Sequence, residues 1–223
     1  GELVGFITSK HYDYTAGEAA AAYEGKLDKF ERQIIYLRPD IFVIYDDILG
    51  PDNASYDWLL HALNKMEVNN DENKIKITQD DASLTVHFLE PTLLQYQQTD
   101  RFPADPSIAF TNQWHLKATA NANGKNMRFL TLLHPYRTIE IENMSIKKLG
   151  SSSGIGLALV KDGKDNIIGF GYDENNELGD VSFGGKAFAL ELSDSNWESL
   201  FLEKGTYLNY KGHELYKATG SSS

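Results

Sequence analysis

Residues 32–47, Arg-Gln-Ile-Ile-Tyr-Leu-Arg-Pro-Asp-Ile-Phe-Val-Ile-Tyr-Asp-Asp, constrain the fold more than any other stretch. Two short runs rich in β-branched and aromatic residues flank Arg38-Pro39-Asp40, and that composition and length favour strands over helix. Pro39 has no N–H to give to a ladder, so it belongs at the corner between the runs. The prediction is a β-hairpin. Splitting each run by parity sets Ile35 and Leu37 against Ile34 and Tyr36, and Ile41, Val43 and Tyr45 against Phe42 and Ile44. Both faces are apolar. An antiparallel pair with one wet face alternates apolar with polar, so this hairpin is expected to be covered on both sides. Arg32, Arg38 and Asp46 are expected to brace it through strand-end hydrogen bonds.

The rest of the chain carries the same signature at lower intensity. Tyr56–Leu63 alternates as a third strand after the Gly50-Pro51-Asp52-Asn53 loop. Ile75–Ile77 and Leu84–Phe88 form a hairpin with one solvated face, turning near Gln79–Ala82. Residues 90–112, with Pro91, Pro103 and Pro106, read as a long loop. Trp114–Ala120 and Met127–His134 are predicted to pair as a hairpin through Asn121-Ala-Asn-Gly124. Ile139–Leu149 follows as a strand, and the runs from Ile155 to Lys217 are joined by Asp162-Gly163, Gly184-Gly185 and Lys211-Gly212. Around Ala19–Ala22, helix-forming composition spans only about two turns, too few to stand alone. The pattern predicts about fifteen short strands without crossover helices, hence an all-β, large antiparallel β-sandwich built from hairpins. No short internal repeat marks a propeller. Residues 1–220 are expected to form a single β-sandwich domain, with 221–223 as a tail.

Composition excludes several function classes. The chain of 223 residues has no cysteine, which removes disulfides, thiolate metal sites and a cysteine nucleophile. A formal charge of −11 argues against nucleic acid and anionic membranes as partners. No run approaches the roughly 18 apolar residues of a membrane helix. The chain opens at Gly1 without methionine and closes on Gly220-Ser-Ser-Ser223, and the expectation is a fragment of a larger protein.

Few residues group as chemistry requires. The six histidines are dispersed, and no pair has helical metal spacing. His11 and Asp13 share a strand face but need a third ligand. Asp57 and His61 also share a face, yet four strand residues separate them by roughly 13 Å, too far for an acid–base pair. Gly154-Ile-Gly156 and Gly169-Phe-Gly171 lack the lysine and following helix of a phosphate loop, so they are assigned to close strand packing. His134-Pro-Tyr136-Arg137 ends a strand and enters a loop. It is the best-composed local cluster for a sugar or carboxylate. Trp114 and His115 would add an aromatic platform if the two strands pair. The candidate carbohydrate-binding residues are therefore Trp114, His115, His134, Tyr136 and Arg137. No residue is assigned a catalytic or metal-binding role, and no cofactor is specified.

A family resemblance adds to this. The order Tyr12-Asp-Tyr14, Gly17-Glu18-Ala19, Ala22-Tyr23, Phe30-Glu-Arg32, Leu37-Arg-Pro-Asp40, Phe42-Val-Ile44, Asp46-Asp47, Tyr56-Asp-Trp58 and Leu60-His61 resembles the C-terminal β-sandwich of heparinase II/III-like polysaccharide lyases. The resemblance is specific over roughly residues 1–65 and rests on the all-β pattern beyond. It implies a larger enzyme with an N-terminal α/α toroid as partner domain and a cleft between toroid and sandwich. The implied substrate is an acidic, uronic-acid-containing polysaccharide such as a glycosaminoglycan or alginate, cleaved by β-elimination, and the implied location is periplasmic or secreted. In the family a tyrosine and a histidine handle the proton α to the carboxylate. The family's catalytic and metal residues fall in segments that would precede Gly1, so none transfers to this chain. The resemblance thus implies a sandwich that is catalytically incomplete alone. The alternative from the residues themselves is a stand-alone carbohydrate-binding or structural β-sandwich module.

Overall fold

In a computed structural model, residues 1–101, 112–140, 143–193 and 196–219 are described. The chain packs as two compact units, Gly1–Ile141 and Glu142–Ser223. Its regular structure is almost wholly antiparallel strand, as expected, and the described residues hold twenty strands. Among them no helix is long and apolar enough to cross a membrane.

In the first unit, an eight-stranded sheet contains β1 (Glu2–Thr8), β2 (Tyr12–Glu18), β3 (Lys29–Leu37), β4 (Ile41–Leu49), β6 (Glu67–Asn69), β7 (Lys74–Gln79), β8 (Ala82–Glu90) and β11 (Asn126–Arg137). Its spatial order is β1-β2-β3-β4-β11-β8-β7-β6. A three-stranded sheet is ordered β5 (Ser55–Ala62), β10 (Trp114–Asn121) and β9 (Gln95–Thr99). The predicted hairpin is β3–β4, in register from Lys29↔Leu49 to Leu37↔Ile41, and it lies inside the larger sheet. One face, with Ile44 and Ile48 buried and Phe30 and Ile34 partly so, joins a core with Trp58, Phe88, Leu116, Ala118, Met127 and Phe129. That core draws on both sheets. On the other face Ile35, Val43 and Tyr45 are buried as well. Both faces of the hairpin thus carry buried apolar residues, as its two-faced parity implies.

In the second unit a five-stranded sheet is ordered β12 (Met144–Gly150), β13 (Gly154–Lys161), β14 (Lys164–Gly171), β17 (Ala187–Ser193) and β18 (Asn196–Glu203). A four-stranded sheet is ordered β15 (Asn176–Leu178), β16 (Val181–Gly184), β19 (Tyr207–Tyr210) and β20 (His213–Lys217). Leu178, Val181, Phe183, Phe188, Leu190 and Leu208 share a core. The glycine pairs sit where close packing requires them. Gly156 lies opposite Gly169, and Gly154 opposite Gly171. A Cβ on Gly169 would meet the Phe188 ring at 2.3 Å and Leu178 at 2.7 Å.

Several expectations are corrected. Asn121–Gly124 is not a hairpin turn: β10 pairs with β5 and β9, whereas β11 pairs with β4 and β8. The chain passes there from one sheet to the other, and at Gly184–Lys186 it likewise leaves the sheet of β16 for that of β17. A tight reversal demands the same turn residues whether the strands pair or part, so the local signal does not separate the two. The long loop at 90–112 contains β9, whose sequence Gln-Tyr-Gln-Gln-Thr lacks apolar alternation. Its polar side chains carry the load instead. Gln98 Nε2 donates to the Met66 carbonyl at 2.9 Å, the Met66 N–H donates to Gln98 Oε1 at 3.1 Å, and the Tyr96 hydroxyl donates to Asn73 Oδ1 at 3.2 Å. Pro103 and Pro106 lie outside the described residues. The strand expected at Ile139–Leu149 begins at Met144, and residues 141 and 142 are also outside. Residues 20–23 form one 3₁₀ turn, in keeping with a stretch too short to stand as a helix. Glu18 Oε1 closes that loop by accepting from the N–H groups of Ala20 (2.6 Å) and Phe30 (3.2 Å).

Candidate functional site

Strand alternation places Phe30 and Arg32 of β3, Asp46 and Ile48 of β4, and Phe129 of β11 on one face of the larger sheet. Tyr56 and Trp58 of β5 and the 23–27 loop stand beside them, and together these residues line a cavity of about 510 Å³. That size suits a sugar ring or similar small group. The walls are mostly apolar and aromatic. Tyr23 packs edge-on against Phe30 with ring centroids 5.6 Å apart. Lys26, in the loop, supplies an exposed ammonium.

The floor is an ion pair. Arg32 donates from Nε to Asp46 Oδ1 at 2.6 Å and from Nη2 to Asp46 Oδ2 at 2.8 Å, and the Trp58 indole N–H donates to Oδ2 at 3.2 Å. Asp46 is buried, so three charge-assisted bonds replace its water. The guanidinium lies over the Trp58 ring at 5.7 Å and the Phe30 ring at 5.9 Å from the centroids, within range of cation–π attraction. The hydrogen bond to Asp46 holds the Arg32 guanidinium pKa above its ordinary value. The bidentate pair uses Nε and Nη2, which leaves the Nη1 edge outside it. The Tyr56 hydroxyl packs over Gly50, where an added Cβ would meet it at 2.4 Å. Burial raises the phenol pKa, and the hydroxyl has no hydrogen-bond partner among the described residues. The site therefore offers aromatic faces for stacking, an arginine edge and a lysine. Its two lining carboxylates, Asp46 and Asp57, are both held in ion pairs, and no histidine lines it. Such a lining can stack against a ring and donate hydrogen bonds to an anionic group.

The five residues singled out from sequence fall in two places. Trp114 and His115 open β10 in the three-stranded sheet. Lys65 Nζ lies over the Trp114 ring at 5.2 Å, and His115 Nδ1 is 3.2 Å from His61 Nε2. His134, Tyr136 and Arg137 end β11 in the larger sheet. His134 is buried, stacks on Tyr136 with centroids 5.1 Å apart, and has Nε2 3.8 Å from Asp40. Thr85 Oγ1 donates to the Tyr136 hydroxyl at 3.3 Å, and Arg137 pairs with Asp81. The two groups belong to different sheets, and their strands do not pair. Arg38, at the corner of the hairpin, pairs with Asp13 at 2.6 Å, whereas Arg32 and Asp46 brace it by pairing with each other in mid-strand rather than at a strand end. Asp47 takes Lys29 at 2.5 Å and Arg128 at 3.3 Å. Among the described residues no three His, Asp or Glu side chains gather as metal ligands. The cavity residues were present in the sequence as Phe30-Glu-Arg32 and Tyr56-Asp-Trp58. Their i, i+2 spacing sets each pair on one strand face, a signal that scaffold and binding site share.

No family model matches the chain, and no curated protein matches it by sequence. Solved structures match by fold. Heparan sulfate lyase HepC from Pedobacter heparinus aligns with a TM-score of 0.59 at 12% identity over 79% of this chain and 28% of its own. A HepC mutant aligns at 0.59 and 13% over 78% and 28%. A heparinase III structure aligns at 0.59 and 13% over 76% and 27%. This chain spans little more than a quarter of those lyases. At such identity the likeness is one of fold: the protein has a heparinase-like β-sandwich.

Proposed function

We propose that this chain is the C-terminal β-sandwich part of a polysaccharide lyase that cleaves uronic-acid-containing glycans by β-elimination. In this reading an N-terminal α/α toroid of the same protein completes the active site, and the sandwich alone does not turn over substrate. The observation that carries it is the fold likeness to HepC and heparinase III, which takes in over three quarters of this chain and only about 28% of theirs. The cavity's chemistry agrees, since aromatic faces flanked by Arg32 and Lys26 suit a sugar ring bearing an anionic group, with no free acid–base pair beside it. Trp114, His115, His134, Tyr136 and Arg137 are proposed as further glycan contacts in two separate patches. The acidic net charge is consistent with the toroid providing most of the basic surface. A periplasmic or secreted location belongs to the same proposal.

The test is incubation of the 223-residue chain with heparan sulfate, chondroitin sulfate and alginate while the absorbance of unsaturated uronate products is followed. The chain alone is expected to give none, and the protein carrying its upstream domain is expected to cleave one of them. Turnover by the chain alone overturns the claim of incompleteness. An upstream domain that is not helical, or a longer protein inactive on all three, overturns the lyase reading.

A further inference from the structure

The outer face of the three-stranded sheet carries a pair of histidines that the cavity does not use. His61 on β5 and His115 on β10 are direct partners in an uninterrupted antiparallel ladder running from Ser55↔Asn121 to Ala62↔Trp114. Their side chains therefore leave the same face from adjacent backbones. His61 Nε2 and His115 Nδ1 are 3.2 Å apart, and the rings meet at 67°. Two lone-pair nitrogens at that distance share either one proton or one cation. With metal–nitrogen bonds of about 2.0–2.1 Å, nitrogens 3.2 Å apart subtend about 100° at a common metal. That lies between the octahedral and tetrahedral values. His61 is exposed, so the pair is reachable from solvent.

We propose that His61 and His115 form a two-histidine chelate for a borderline divalent transition ion, Zn²⁺, Ni²⁺ or Cu²⁺. The ladder already holds the two backbones in register, so little ordering remains to be done on binding. Next along the same face, Asp57 accepts from Lys117 Nζ at 2.8 Å and Thr119 Oγ1 at 2.7 Å, a cross-strand tie that fixes this part of the sheet. Imidazole nitrogen selects the later first-row ions and zinc over Ca²⁺ and Mg²⁺, which take oxygen. Among the described residues no third His, Asp or Glu joins the pair. The remaining positions fall to water or an outside donor, which makes the site open and exchangeable rather than a structural zinc site. On binding, the proton shared between the nitrogens moves to another ring nitrogen or to solvent.

Calorimetric titration of the tag-free chain with ZnCl₂ tests this, with CaCl₂ and MgCl₂ as controls. The expected result is one Zn²⁺ per chain and no response to the controls. His61→Gln and His115→Gln should each weaken binding by about tenfold or more, while His11→Gln and His213→Gln leave it unchanged. In the unmodified protein, paramagnetic Ni²⁺ should broaden the imidazole NMR signals of two of the six histidines, the two removed by those substitutions. This arm does not depend on how well a variant folds. Wild-type affinity in His61→Gln, broadening centred on other histidines, or no Zn²⁺ binding at all overturns the proposal. None of these outcomes bears on the lyase reading.

Discussion

The Arg32–Asp46 pair makes a sharp prediction because its two ends differ so much in exposure. The Asp46 side chain is 1% exposed and that of Arg32 41%. Removing the arginine strands a buried carboxylate with only the Trp58 N–H for company, and breaking a buried pair in this way costs about 3–5 kcal/mol. Neutralising the aspartate strands an arginine that water can already reach. An asparagine side chain in its place would fill the same space and still accept one bond, so Asp46→Asn should cost about 1–2 kcal/mol. Arg32→Met is therefore expected to destabilise the first unit at least twice as much as Asp46→Asn. Replacing both partners, as Arg32→Met with Asp46→Leu, removes the stranded charge and should recover most of the loss. The assay is urea unfolding followed by fluorescence in a Trp114→Phe, Trp197→Phe background, where Trp58 is the only reporter. The reasoning is refuted if Asp46→Asn costs as much as Arg32→Met, or if the double variant is no more stable than Arg32→Met alone.

Other predictions follow from single sites. Hydrogen bonds from Lys117 first and Thr119 second hold the Asp57 carboxyl below its ordinary value of 3.8. A depressed acid stabilises the fold above its unfolded pKa and loses that effect as pH falls through the folded value. Asp57→Asn should thus be less stable than wild type at pH 7, by about 0.2–1 kcal/mol as for other exposed pairs, and that deficit should shrink as acid protonates the depressed carboxyl; a deficit that does not change between neutral and acid thermal melts would contradict this. Gly169→Ala should lose about 1–3 kcal/mol by overpacking. Gly163→Ala, at φ +77° with nothing near its Cβ, should lose about 1 kcal/mol from backbone strain alone; a neutral Gly169→Ala in urea melts would remove the close-packing argument. Tyr23 is exposed, so Tyr23→Ala should leave stability nearly unchanged while weakening uronate-oligosaccharide binding in calorimetry. Unchanged affinity would move the glycan away from the cavity.

The all-β class and the β3–β4 hairpin could be read from residue order because both follow from short-range alternation. Side-chain direction in a strand has period two, so parity alone showed that Ile34 and Ile35 both needed cover. The paired glycines at 154, 156, 169 and 171 were legible for a similar reason: two strands without side chains at matching positions pack closely. Sheet membership was not legible. Asn121–Gly124 has the residues of a hairpin turn, yet it carries β10 and β11 into different sheets and so parts Trp114 from His134. β9 escaped notice because its inward contacts are made by Gln98 and Tyr96 through hydrogen bonds, which leave no hydrophobic period. The cavity and the histidine pair needed the tertiary structure for the same physical reason. Ladder register decides that Arg32 faces Asp46 and that His61 meets a residue 54 positions away, and register is set by how whole strands bury their faces rather than by the residues next to them in sequence.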